Sequence, residues 1–170
     1  MLIAFSGLPA SGKSTIARQL ALALGATWLR IDSIERAITA SGVVSGSLND
    51  AGYRVAYAAA EDNLRLGNAV IGDSVNPWML TRDAWREVGR RAAAEVVEVE
   101  VVCSDEGEHR RRAESRPNDV PGLEYPDWAL IAARNYHLWD RERLVVDSSA
   151  HSVEECVALI RRALPPRGSY

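Results

Sequence analysis

Gly7-Leu8-Pro9-Ala10-Ser11-Gly12-Lys13-Ser14 is the stretch that decides the fold. It fits G-x-x-x-x-G-K-[ST] at every fixed position. Before it lies a short apolar run, Leu2 to Phe5, that reads as a buried strand; after it Ile16, Leu20 and Leu24 recur at helical spacing. The spacing has a physical reason. Glycines let successive backbone N–H groups turn inward as an anion nest, and the N-terminus of the following helix adds the positive end of its dipole. Lys13 then reaches the β- and γ-phosphates of a nucleotide as a point charge, and Ser14 offers its hydroxyl to Mg²⁺. The nucleotide-contacting run is Gly7, Leu8, Pro9, Ala10, Ser11, Gly12, Lys13, Ser14 and Thr15. Lys13 is also the single lysine among 20 basic residues. A composition that uses arginine wherever arginine serves keeps lysine where a slender ammonium cannot be exchanged for a planar guanidinium.

Strands and helices alternate outward from this unit. Gly25 ends the first helix, and Thr27 to Ile31 reads as a second strand. Asp32 closes that strand with Glu35 three residues on, a capping-box pattern that starts a helix to about Ala40. A Ser/Gly-rich loop, 41–50, precedes a helix over Tyr53 to Leu66. Ala69 to Val75 is a third strand broken by Asn76-Pro77, and Arg82 to Glu95 is helical by composition. In Val96 to Cys103 valines alternate with Glu98 and Glu100, which predicts a strand with one solvated face. A charged helix over about Glu106 to Ser115, a proline-rich loop over 117–126 and a helix over Trp128 to Trp139 follow. Leu144 to Val146 is a last strand, and Ser152 with Glu155 caps a C-terminal helix stopped by Pro165-Pro166. No repeat or linker divides the chain, so one domain is expected over 1–170, with a lid at about 105–126. The alternation predicts the α/β class: a three-layer α/β/α sandwich around about five parallel strands. Such sheets bind ligands beyond the carboxyl ends of their strands, where Gly7 to Thr15, Asp32, Asp73 and Asp147 fall.

Composition narrows the classes. With 170 residues, 47% apolar and 25% charged, the chain can bury a core, which excludes disordered, collagen-like and disulfide-stapled classes. A net charge of −3 gives no positive excess for tracking extended nucleic acid or an anionic membrane. Cys103 and Cys156 fit no zinc or redox spacing and read as small apolar residues of a reduced, cytoplasmic protein. The N-terminus lacks the basic segment of a secretory signal, and no uncharged apolar run approaches the ~18 residues of a membrane span.

Elimination then separates the nucleotide-dependent classes. The guanine-reading Asn-Lys-x-Asp tetrapeptide is absent, which disfavours a GTPase switch. The strand Ala69-Val70-Ile71-Gly72-Asp73 is followed by Ser74, where ATPases commonly carry a water-orienting glutamate. What remains is a small kinase whose acceptor is a hydroxyl brought from outside. Asp32, at the end of the strand expected beside the glycine-rich turn, is placed to accept or orient that hydroxyl's proton, and a helix-capping role is compatible with this. Asp73 is a candidate for holding Mg²⁺ through water or for binding the acceptor. Asn76, Trp78 and Arg82 follow on the same rim and are candidate acceptor contacts. In Glu108-His109-Arg110-Arg111-Arg112-Ala113-Glu114-Ser115-Arg116, Glu106 to Arg110 and Glu108 to Arg112 are i,i+4 pairs of a solvated face. Arg112 and Arg116 share a face beside the proline-rich loop, as arginines do when a lid closes over a transferring phosphoryl group. His109 carries no comparable signal. Asp147-Ser148-Ser149 follows the last strand, at the place where such kinases hold adenine, while Trp28, Trp85 and Trp139 read as packing.

Together, the Gly7 to Thr15 run, Asp32-Ser33, the strand and turn Val70 to Pro77 and the Arg112/Arg116 segment resemble the small bacterial kinases grouped as AAA-family ATPases. These are similar to the 5′-hydroxyl polynucleotide kinase domain, chloramphenicol phosphotransferase, gluconate kinase and the zeta toxin kinases. The resemblance spans Leu2 to about Leu164 and implies the P-loop phosphotransferase fold with sheet order 2-3-1-4-5 and a small helical lid. It also implies ATP and Mg²⁺ as partners and an acceptor-activating aspartate at Asp32. Polynucleotide kinases follow that aspartate with a second acidic residue and place an arginine three positions after it; here Ser33 and Glu35 stand there, closer to the chloramphenicol phosphotransferase pattern. The expected reaction is transfer of the γ-phosphoryl group of ATP to a hydroxyl of a small molecule such as an antibiotic, sugar or nucleoside-like metabolite. A 5′-hydroxyl polynucleotide kinase acting on short ends and a nucleotide-dependent regulatory or toxin-type binding protein are the alternatives.

Overall fold

The computed structural model describes residues 1–44, 46–117, 120, 122 and 125–166. Five parallel strands, β1 (Leu2–Ser6), β2 (Thr27–Arg30), β3 (Val70–Asp73), β4 (Val96–Val102) and β5 (Leu144–Asp147), form one sheet in the order β2-β3-β1-β4-β5. This is the order the resemblance implied. β1 is central and buried along its whole length, pairing Ala4 with Gly72 of β3 on one side and with Glu98 of β4 on the other. Its side chains alternate between two cores. Ile3 and Phe5 pack with Ile16 and Leu20 of α1 (Lys13–Leu24) and Ile160 of α7 (Val153–Ala163). Leu2 and Ala4 pack with Ala56 and Ala60 of α3 (Ala51–Arg65) and Trp85 and Val88 of α4 (Met79–Arg91). The second layer admits Trp85 only because β3 carries a glycine there: a Cβ on Gly72 would sit 2.6 Å from the indole ring. Helices α2 (Ile31–Ala40), α5 (Glu106–Ser115) and α6 (Trp128–Ala132) surround the carboxyl end of the sheet. Among the described residues no helix is long and apolar enough to cross a membrane.

Three local expectations are corrected. Asp32 neither closes β2 nor caps α2: the strand ends at Arg30, Ile31 enters the core, and Asp32 lies in the first helical turn with no capping bond to Glu35. Its charge there faces the positive end of the helix dipole. The helix expected over Trp128 to Trp139 stops at Ala132. The following backbone is taken by tertiary partners, His137 N–H donating to Pro77 O at 2.8 Å and Arg82 Nη2 to His137 O at 3.0 Å. Nor is the glutamate face of β4 solvated. Glu98 and Glu100 are 8% and 7% exposed beneath that same non-helical segment, Glu98 paired with Arg141 at 2.9 Å and Glu100 with Arg143 at 2.8 Å.

Candidate active site

The Gly7–Ser14 loop crosses the top of the central strand in an open, partly left-handed path. Gly7 (φ 143°) lies so close to β4 that a Cβ would fall 2.3 Å from Val101 O, and Gly12 (φ 87°) turns the chain into α1. Between them Ala10 takes φ 65°, a conformation that L-residues enter at a cost. Several bonds hold the loop from outside. Gly7 N–H donates to Val75 O at 3.1 Å, the Ser148 hydroxyl donates to Ser11 O at 2.7 Å, and His109 Nε2–H donates to Pro9 O at 2.8 Å. Since a carbonyl can only accept, the last bond fixes the imidazole tautomer.

At the mouth of this loop the charged residues of three elements converge. Lys13 is 7% exposed; burial pushes its pKa down, opposed by the charges of Asp73 and Asp32. Asp73, 2% exposed at the end of β3, is pushed up by burial and drawn down by Lys13 and by the Ser14 hydroxyl, which donates to its Oδ1 at 3.2 Å. The other oxygen accepts from Trp28 Nε1–H at 3.3 Å, so Trp28 reaches the site and does more than pack. Asp32 stands beside them, half-exposed, in a loose pair with Arg30 at 3.8 Å. One turn along α2, Glu35 is raised by burial and by the Asp32 charge. Ser14 and Asp73 offer the hard oxygen donors that suit Mg²⁺, which takes few protein ligands and completes its shell with phosphate and water.

Two cavities open here and meet. The first, about 390 Å³, is lined by Ala10 and Gly12 to Thr15 of the loop, by Arg30 and Asp32, and by Arg112, Arg116 and Tyr125. The second, about 690 Å³, extends past Asp32 and Glu35 to Tyr53, Trp78, Thr81 and Arg134. Lys13, Asp32, Arg116 and Tyr125 line both. The guanidinium of Arg116 lies 3.7 Å from the centre of the Tyr125 ring.

The remaining candidate residues divide. Trp78 lines the second cavity, and Asn76 is buried behind it at φ 52° with its N–H donating to the Tyr53 hydroxyl at 3.2 Å. Arg82 is fully buried away from both cavities, its guanidinium given to the carbonyls of Asn76, Pro77 and His137 and stacked 4.0 Å over Trp139, which corrects its expected place on the acceptor rim. Arg112 lines the first cavity, but its guanidinium is bound to Glu108 at 2.6 Å and to the Ser148 hydroxyl and carbonyl at 2.8 and 3.0 Å. Asp147 spends its carboxylate on the backbone N–H and hydroxyl groups of Ser104 and Ser149; burial opposes its charge, yet these bonds hold its pKa below the usual range. A small adjoining recess of about 270 Å³ is lined instead by Gly12, Thr15, Arg112, Ser148 and His151. Of the proline-rich loop expected to close the site, residues 118, 119, 121, 123 and 124 lie outside the described residues.

A family of sequences described as an AAA domain matches residues 2–124. No curated protein matches the chain. Solved structures share the whole fold at low identity. A proposed kinase from Chloroflexus aurantiacus has a TM-score of 0.76 at 20% identity, over 96% of this chain and 98% of that one. Kti12 from Chaetomium thermophilum, in complex with ADP-AlF3, has 0.70 at 24%, over 98% and 100%. The APS kinase CysC from Mycobacterium tuberculosis, in complex with AMPPNP and APS, has 0.68 at 20%, over 95% of each chain. The fold is therefore that of the small P-loop kinases.

Proposed function

The chain belongs to the AAA domain family, and from that membership we propose that it is an ATP-dependent phosphotransferase acting on a hydroxyl of a small molecule. One observation carries the reading: two cavities of different character meet at Lys13, Asp32 and Arg116. The triphosphate belongs in the first, on the loop amides and Lys13, with Ser14 and Asp73 as the residues that would hold Mg²⁺. The metal, when bound, neutralises charge on the β- and γ-oxygens. An acceptor in the second cavity presents its hydroxyl to Asp32. Its oxygen forms the new bond to the γ-phosphorus as the bond to the β,γ-bridging oxygen breaks, and its proton passes to the Asp32 carboxylate. Arg116 stabilises charge on the group in transfer. Tyr53, Trp78 and Tyr125 give the acceptor cavity ring faces, and about 690 Å³ suits an antibiotic-, sugar- or nucleoside-sized molecule.

The test is incubation of the protein with ATP, Mg²⁺ and pooled metabolites, antibiotics and oligonucleotides, read by mass spectrometry for a product carrying one added phosphoryl group. A phosphorylated small molecule is expected. Asp32→Asn is expected to leave ATP affinity nearly intact and to slow formation of that product ~10²-fold. Free phosphate alone across a broad pool would overturn the reading. A phosphorylated oligonucleotide end would move it to a polynucleotide kinase.

A further inference from the structure

The loop turns locally at Pro9-Ala10, where Ser11 N–H donates to Leu8 O at 3.2 Å, and helix α5 adds restraints to that turn from outside. We propose that α5 braces the phosphate loop in the form that receives phosphate, with His109 fixing the Pro9–Ala10 peptide and Arg112, through Ser148, the Ser11–Gly12 peptide. The inference rests on the reading of this loop as a nucleotide phosphate seat.

Two arms leave α5 one turn apart. His109, 6% exposed, bonds Pro9 O directly, and its ring is set by an edge contact with Trp128 of α6 at 5.2 Å between centroids. Arg112 acts through Ser148: its guanidinium donates to the Ser148 hydroxyl, and that hydroxyl donates onward to Ser11 O. Glu108 holds the other edge of the same guanidinium. The carbonyls so engaged, those of Pro9 and Ser11, flank the one non-glycine residue of the loop with positive φ. An alanine there favours negative φ, and relaxation toward it would re-aim the peptide N–H groups that form the anion nest. Holding the Pro9 and Ser11 carbonyls, in addition to the Leu8–Ser11 turn bond, restricts that freedom further before phosphate arrives. His109 and Arg112 are in this sense positioning residues, acting on phosphate through the loop.

The energetic consequence is a population effect. If the unbraced loop spends a tenth of its time in the receptive form, apparent affinity falls tenfold with no contact to nucleotide lost. Glycine at position 10 takes φ 65° without penalty, so a loop relieved of its alanine needs the brace less. That coupling separates a brace from a residue that merely supports the fold.

The experiment is calorimetric titration of the whole protein with ADP and Mg²⁺, beside thermal melting without nucleotide. His109→Phe keeps the ring and its contact with Trp128 but removes the donor. Its affinity for ADP is expected to fall about tenfold, and in the Ala10→Gly background by less than about threefold. His109→Gln, which carries an N–H at the end of its side chain, is expected to recover most of the loss. Equal losses in both backgrounds, or affinity within about twofold of the parent for His109→Phe, would overturn the brace. Should His109→Phe fail to fold, Ser148→Ala tests the other arm with the same expected dependence on Ala10→Gly and the same overturning result. A parent protein that binds no ADP overturns the nucleotide reading and the brace with it, whereas firm parental binding beside an unaffected His109→Phe overturns the brace alone.

Discussion

Lys13 is a buried ammonium that feels the charges of Asp73 and Asp32, at the first position of α1 and on the wall common to both cavities. A guanidinium is wider and planar, and it cannot stand in for a compact ammonium as a point charge on the glycine-rich loop. Lys13→Arg is therefore expected to lower transfer by more than ~10²-fold, the scale on which one transition-state donor counts. Steady-state assay with the acceptor that the pooled incubation identifies checks this, and a variant of ordinary activity would detach the ammonium from the chemistry. Lys13, Ser14 and Asp73 are legible in the sequence because fixed spacing and strand ends announce them. Trp28 and His109 are not. Trp28 meets Asp73 across 45 residues and His109 meets Pro9 across 100, and an indole or imidazole on an element looks like packing until the fold supplies its partner.

At the scale of elements, the rim of the second cavity depends on a strap, residues 133–143, that has no regular structure. Arg82 of α4 ties the turn after β3 to that strap by donating to Asn76 O at 3.0 Å, Pro77 O at 3.3 Å and His137 O at 3.0 Å. Arg82→Met keeps the stem and takes the guanidinium donor from the Asn76 and His137 carbonyls, while Pro77 O keeps the His137 N–H, at ~1–3 kcal/mol for each group left unpaired. A loss of at least about 2 kcal/mol is expected, measured as a shift in the midpoint of denaturant unfolding. An unchanged midpoint would show that the strap does not need the clamp. The same element explains why the helix expected over Trp128 to Trp139 stops at Ala132. Leu130, Ile131 and Leu138 are spaced as on a helix, but Leu130 and Leu138 are exposed, and the carbonyls of the strap satisfy Arg82 in place of a helical ladder. Glu98 and Glu100 looked solvated by alternation alone; the arginines that cover them lie more than forty residues on, at 141 and 143.

For the molecule as a whole, alternation of strand and helix makes the layered α/β class readable, and the wholly buried β1 anchors it. The strand order came from resemblance, because parallel pairing leaves no local mark in the chain. Binding that engages only the folded state adds stability by mass action: nucleotide with Mg²⁺ at 100 times its dissociation constant contributes ~2.7 kcal/mol. For a domain of this length that is expected to raise the melting temperature by roughly 5–11 °C, at ~2–4 °C per kcal/mol, in a scan with and without ligand. A melting temperature indifferent to nucleotide would count against the seat described for the triphosphate.

The common wall of the two cavities has a bearing on how such a protein changes. The nucleotide side is drawn from the glycine-rich loop and α5, whereas the far side draws on α2, residues 47–53, the turn at 75–81 and the strap at 134–135. Only a narrow seam is held in common. Substitutions at Ser47, Asn49, Trp78 or Arg134 can reshape what is admitted while the phosphate machinery stays as it is. Under the proposed function, a scaffold divided in this way lets drift explore new acceptors on a constant energy source, and it offers the engineer a phosphate-binding half that can be left alone.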